Sequence, residues 1–272
     1  MHHSSGDIIF SPSDLITFME SAYASAMERH RLSDASIAEF MDSEDAVLAS
    51  LQQKGYEHED RFTQSLKDAG HVVLETKRAT PEQTAKATLA AMQEGQEIIT
   101  QGYLSYGAFG GFTDFLVKVP GTSNFGDYHY EVWDTKLSKK LKPYFAVQLC
   151  CYIEMLERIQ GVRPKQMVVV LGDNTEARLE VANYFAYYKS LKSAFLEFHK
   201  TPSKNLPNPA DSKNYGRWSE LANKQLAEQD HLSQVANLSR SQIKNLEKAG
   251  ITTMQQLADS NLDRPNRLTG GM

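Results

Sequence analysis

The sequence predicts an α/β protein in which a mixed central sheet is flanked by helices, with a small all-α module after it. Three observations carry that expectation. Strand-like runs near 97–105, 111–119 and 128–136 follow one another after a long amphipathic stretch. An almost wholly apolar helix then opens at Pro143, and a further apolar strand lies at 166–171. Past the Pro- and Asn-rich stretch 201–209 the pattern is helical, with no strand.

Each element has a local cause. Ser11-Pro12-Ser13-Asp14 ahead of Leu15, Ile16 and Phe18 signals a helix start, and the pattern runs to about residue 31. A longer helix over 44–70 carries Leu48, Leu51, Phe62, Leu66 and Ala69 as an apolar stripe, with Gly70 as its stop. A strand at 71–75 follows, and Pro81 opens a helix to about residue 93. The Gly-, Ser- and Asn-rich segment 120–127 is the turn between two strands. After 166–171 come a strand near 178–182 and a helix over 184–199. The remaining helices are expected at 214–229, 239–249 and 253–259. The organisation is therefore a domain over 1–200, a linker over 201–213 and a helical module over 214–272.

Of the 272 residues, 41% are hydrophobic and 23% charged, as in ordinary soluble proteins. No apolar run approaches the roughly 20 residues that span a bilayer, and no signal peptide precedes the first helix, so no membrane partner is expected. Cys150 and Cys151 are adjacent on a predicted helix and suggest neither a disulfide framework nor a zinc site, which points to a reducing cytoplasm. A net charge of −5 argues against coating nucleic acid by bulk attraction. It leaves room for a local basic strip, and Lys136, Lys139, Lys140 and Lys142 supply one; such a cluster alone is weak evidence.

The chemistry concentrates on the third strand, Glu131-Val132-Trp133-Asp134-Thr135-Lys136. Alternation puts Asp134 and Lys136 on one face and Glu131, Trp133 and Thr135 on the other. An acid and a lysine on a half-buried strand are costly to desolvate unless something uses them. A second acid, Asp114, interrupts the apolar run Phe112–Val117. Two inward carboxylates and a lysine suit a divalent cation with a positioned water; an exposed ion pair and a strand-end cap are the plainer alternatives. On the long helix His58 falls on the core-facing stripe and Glu59 about 100° round from it. A hydrogen-bonded core histidine is the commoner reading of such a position, and Gly55 one turn earlier, which would let a backbone or substrate approach, brings a ligand level with it. Gln148 and Tyr152, one turn apart on the apolar helix, either bond the backbone or line the same site.

Together, Gly55-x-x-His58-Glu59, Gly111-x-x-Asp114, Asp134-x-Lys136 and Gln148-x-x-x-Tyr152 resemble the RecB-like branch of the PD-(D/E)XK nuclease superfamily. The likeness is to helicase-associated RecB-like nucleases, related to CRISPR-associated adaptation exonucleases, and it covers roughly residues 11–200. It implies a restriction-endonuclease-like core and Mg²⁺ or Mn²⁺ held by His58, Asp114, Asp134 and the carbonyl of Thr135, with Glu59 as an alternative or additional ligand. It also implies that Lys136 orients the attacking water and offsets phosphate charge, while Gln148 and Tyr152 support the site. Many relatives hold an iron–sulfur cluster through four cysteines. With Ser21 in the first helix and no cysteine after Cys151, no such cluster is expected here. The stretch 238–253 resembles a helix-hairpin-helix unit whose glycine turn offers N–H groups to a phosphate; a capped pair of packed helices explains it equally well.

The expected activity is metal-dependent hydrolysis of DNA, as single strands or duplex ends, in repair, recombination or defence beside a helicase partner or a fused helicase domain. The alternative is a catalytically inactive nucleic-acid-binding module of a helicase–nuclease assembly. Exonuclease versus endonuclease mode, polarity, DNA versus RNA and the number of metals are not encoded legibly. The chain stops at Met272 without an obvious closing element, which leaves room for a longer parent protein.

Overall fold

Alternating apolar residues at the centre of the chain build an antiparallel meander of three strands, β4 (Ile98–Tyr106), β5 (Phe109–Ser123) and β6 (Gly126–Thr135). The computed structural model describes residues 1–4, 6–43, 46–76, 79–200, 206–212 and 214–260. The chain divides into two units, Met1–Met19 with Glu44–Thr201, and Glu20–Ser43 with Pro202–Met272.

In the first unit a mixed six-stranded sheet has the order β3-β4-β5-β6-β7-β8, with β3 at Val73–Glu75, β7 at Gln166–Val170 and β8 at Glu176–Glu180. β3 runs parallel to β4 and β7 parallel to β6; the other pairs are antiparallel. Parallel neighbours need a crossover, and α5 (Pro143–Gln160) supplies the one between β6 and β7. The helices α3 (Ala46–Asp68), α4 (Pro81–Gln93), α5 and α6 (Ala182–Lys200) cover the sheet on both sides. Ile99, Leu116, Tyr130 and Val132 share a core with α4, α5 and α6. On the opposite face Ile98, Phe115, Trp133, Val168 and Val170 pack on Phe62 of α3. Met167–Val170 is buried throughout because both faces of β7 are covered. A short hairpin of β1 (His2–Ser4) and β2 (Asp7–Ile9) precedes α1 (Pro12–Glu20). No helix among the described residues is long and apolar enough to cross a membrane.

The second unit gathers α2 (Ala22–Ser33) with α7 (Ser219–Glu228), α8 (Arg240–Lys248) and α9 (Met254–Ala258). Its core is Tyr23, Ala24 and Met27 against Trp218 and Ala222. Trp218 Nε1 donates to Glu28 at 2.9 Å, and Arg217 pairs with the same carboxylate.

Four expectations need correction. The first predicted helix is two, because the Ser21 hydroxyl accepts from the Ala24 N–H at 3.0 Å and starts a new helix there. Residues 20–43 belong with the C-terminal unit rather than with the rest of 1–200. The turn after β5 is confined to Asn124 and Phe125, since both strands extend into the segment expected to be a loop. Leu48 and Leu51 are 54% and 49% exposed, so only the later turns of α3 meet the core. Of the expected linker, 201–205 and Lys213 lie outside the described residues, while Pro209 in it is buried.

Candidate active site

The site lies across the sheet where its ladder is interrupted. Thr100 faces Phe115 and Gly102 faces Thr113, so Gln101 on β4 stands opposite Asp114 on β5. Phe115 faces Trp133, and one further step puts Asp134 on β6 across from Asp114. Asp134 in turn faces Val169 on β7. Three adjacent strands thus present polar residues at one level.

Asp134 is 3% exposed, and its Oδ2 stands 2.6 Å from Lys136 Nζ. Period-two alternation produces this pairing, as read from the sequence. The ammonium also lies 5.6 Å from the Phe145 ring centroid on α5, within cation–π range. Burial pushes the Asp134 carboxyl above its ordinary value; Lys136 opposes the shift and Asp114 adds to it. Burial also works against the Lys136 ammonium, but the neighbouring Asp134 and Asp114 charges outweigh it and raise its pKa. Asp114 Oδ2 accepts from the Thr135 N–H at 2.8 Å and from the Thr135 hydroxyl at 3.0 Å. Thr135, expected only as a carbonyl donor, therefore orients Asp114 with its N–H and side chain.

From α3, Glu59 approaches this group. Its carboxyl is pushed up to about 7, first by burial and then by the charge of Asp114, with Asp60 and Asp134 adding and the Gln101 amide opposing. That amide donates to Glu59 Oε1. His58 is 2% exposed, and its Nε2 is enclosed with no hydrogen-bond partner among the described residues. Phe62, one turn later, fixes this end of α3 by packing edge-on to Phe115 with ring centroids 5.3 Å apart. At Gly55 a Cβ would meet nothing within 4 Å, so no backbone among the described residues approaches there.

The second half of the predicted constellation lies on α5. The Tyr152 hydroxyl donates to the Phe112 carbonyl at 2.6 Å, two residues from Asp114. Burial, then Asp114 and Asp134, hold its pKa well above the ordinary value. Gly111 makes room for it: a Cβ there would stand 3.0 Å from both Tyr152 Oη and Pro12 Cδ. Gln148, one turn earlier, is half-buried, and its side-chain amide has no partner among the described residues. Glu131 stands apart, on the Trp133 side of the strand beside Arg178.

The residue missed by sequence reasoning is Gln101. The only hint was Thr100-Gln101-Gly102, a polar break in an apolar strand, which equally fits an exposed edge.

Carboxylate oxygens of Glu59, Asp114 and Asp134 are the donor type a hard divalent cation takes, and the enclosed His58 Nε2 has no hydrogen-bond partner among the described residues. Among the described residues, no three His, Cys, Asp or Glu side chains already converge as a ligand cluster. The carboxylates are instead held by Lys136, Thr135 and Gln101.

In the second unit, the predicted hairpin between α8 and α9 forms, with Gly250 at φ +83°. Its donors are occupied. Gly250 N–H bonds Glu247, Ile251 N–H bonds Leu246, and Thr252 N–H bonds Gln256 Oε1 at 2.7 Å. The Asp230 carboxylate takes the Gln255 N–H at 2.8 Å. A carboxylate therefore sits at the start of α9, beyond the glycine turn to which a phosphate was assigned. Arg240, Lys244 and Lys248 are exposed.

No protein-family model matches the sequence, and no curated protein matches it.

Proposed function

We propose that the chain is a metal-dependent nuclease of the RecB-like kind, hydrolysing phosphodiester bonds of DNA as single strands or duplex ends. The observation that carries this reading is the ammonium of Lys136 paired at 2.6 Å with buried Asp134, in line with Asp114 on the next strand. Support comes from the order of parts: α3, β5, the end of β6 and α5 carry the four motifs in sequence.

Asp114, Asp134, Glu59 and His58 Nε2, with the Thr135 carbonyl, would hold Mg²⁺ or Mn²⁺. Such an ion, when bound, polarises the phosphate and lowers the pKa of a water ligand. Lys136 places a fixed positive charge where charge builds on the phosphate, and its neighbours keep it protonated at neutral pH. Thr135 and Tyr152 are positioning residues, one orienting Asp114 and the other tying β5 to α5. The exposed Lys139, Lys140 and Lys142 of the following loop offer phosphate contacts. Gly172 braces that loop, since a Cβ there would lie 2.1 Å from the Leu137 carbonyl oxygen. A helicase partner or fused helicase, and a cytoplasmic setting, complete the proposal.

End-labelled single-stranded and duplex DNA with Mn²⁺, Mg²⁺ or chelator provides the test. Cleavage should require metal, and Asp134→Ala or Lys136→Ala should lower it by about 10²-fold or more while circular dichroism stays unchanged. Full activity in either variant overturns the assignment. Salt-sensitive binding without cutting under any metal favours the second reading, a catalytically inactive binding module.

A further inference from the structure

Gln101 carries a backbone feature that the regular pairing of β4 does not require. It lies in the middle of β4 yet has φ +54°, a left-handed backbone that side-chain-bearing residues rarely adopt. Among the described residues, the other non-glycine residues with positive φ are Asn174, Asp230 and Asn237, of the types that tolerate this conformation best. Glutamine has no such tolerance, and glycine would fit without strain. The backbone on either side holds the distortion in place. The Thr76 hydroxyl donates to the carbonyls of Thr100 at 2.9 Å and Gln101 at 2.8 Å. Beyond it, the Thr113 hydroxyl donates to the Gly102 carbonyl at 3.1 Å, and the Tyr103 N–H donates to Thr88 Oγ1 at 3.0 Å. Strain maintained in this way is a mark of functional positions.

The distortion has a geometric result. Regular alternation would group Gln101 with Ile99, on the face packed by α4, α5 and α6. Asp114 groups likewise with Leu116 and Asp134 with Val132, and from this row the Gln101 amide reaches Glu59 of α3, the helix that packs by Phe62 on the opposite face. We infer that Gln101 is a positioning residue for the helix-borne ligand: its left-handed backbone turns the amide toward α3 and pins Glu59 beside Asp114, so that a divalent cation meets carboxylates from the helix and from the sheet together. This rests on the metal-centre reading above. It also assigns the amide a second effect, since a donor on one Glu59 oxygen leaves the other oxygen for the cation.

Manganese binding to the full chain, followed by calorimetry without DNA, tests the inference alongside thermal unfolding of the metal-free protein. Gln101→Gly should keep or raise the unfolding temperature, because glycine relieves the strain, yet weaken Mn²⁺ binding about tenfold. Gln101→Asn, which tolerates the backbone but is one methylene short of Glu59, should weaken binding similarly. In a Glu59→Gln background, Gln101→Gly should cause no further loss. Wild-type affinity in Gln101→Gly, or an undiminished second loss in the Glu59→Gln background, overturns the role of Gln101 and leaves the metal centre standing. A wild-type chain that takes up no Mn²⁺ at all overturns both.

Discussion

At the scale of single residues, the structure separates what charge announces from what geometry hides. Asp114, Asp134 and Lys136 were legible because an ionisable group inside an apolar strand has few inexpensive explanations. Gln101 was not, since an uncharged amide beside a glycine raises no such alarm and backbone φ is not written in a sequence pattern. Gly55 and Gly111 illustrate the same limit, for a glycine shows that space is needed without saying for what. Of these two, Gly111 has close neighbours, Pro12 Cδ and the Tyr152 ring and hydroxyl. That contact makes a prediction. Tyr152→Phe keeps the ring and removes the donor, leaving the Phe112 carbonyl without its 2.6 Å partner. The variant should fold but lose about 1–3 kcal/mol in urea unfolding. An unchanged midpoint and slope would show that the hydroxyl does not hold β5.

At the scale of elements, α3 shows why periodicity locates a helix better than it locates a core. Leu48, Leu51, Phe62 and Leu66 lie on one stripe, and the helix forms nearly where that stripe predicts. The stripe says nothing about where the sheet beneath it ends. Val47, Leu48, Leu51 and Tyr56 are all about half exposed or more, whereas Phe62 is 7% exposed and packs on Phe115 and Trp133. Two equally apolar positions should therefore respond differently. Leu51→Gln should change stability by no more than about 0.5 kcal/mol, as at an ordinary surface site. Phe62→Ala should cost about 3–5 kcal/mol, the range for truncating a buried aromatic. Comparable losses at both positions would mean that the early turns of α3 are covered. The break at Ser21 teaches the complementary lesson, because a capping serine can end one helix and start another without disturbing the apolar pattern around it.

At the scale of the whole molecule, the sheet order follows from rules the sequence does carry, whereas the grouping of distant segments does not. Nothing in the local pattern of residues 22–33 announces that Glu28 will bond Arg217 and Trp218. Charge accounting is likewise a whole-molecule property, and buried Glu154 of α5 shows how it reaches across helices. Burial alone would push the Glu154 carboxyl up. Hydrogen bonds from Lys189 at 2.6 Å, Lys192 at 2.5 Å and Tyr188 at 2.5 Å outweigh it and hold the pKa down to about 2. The folded value is thus below the ordinary 4.5. The cluster therefore contributes stability above pH 4.5 that is lost as the pH falls toward 2. Each pKa unit corresponds to about 1.4 kcal/mol, so the full contribution at neutral pH is up to about 3 kcal/mol. Glu154→Gln should be destabilised by about that amount at pH 7 and by less than half of it at pH 3, read from urea unfolding at both values. A gap of equal size at both pH values would show that the carboxylate's charge is not what joins α5 to α6, and that the ring and methylene packing of Tyr188 and Lys192 holds the two helices instead.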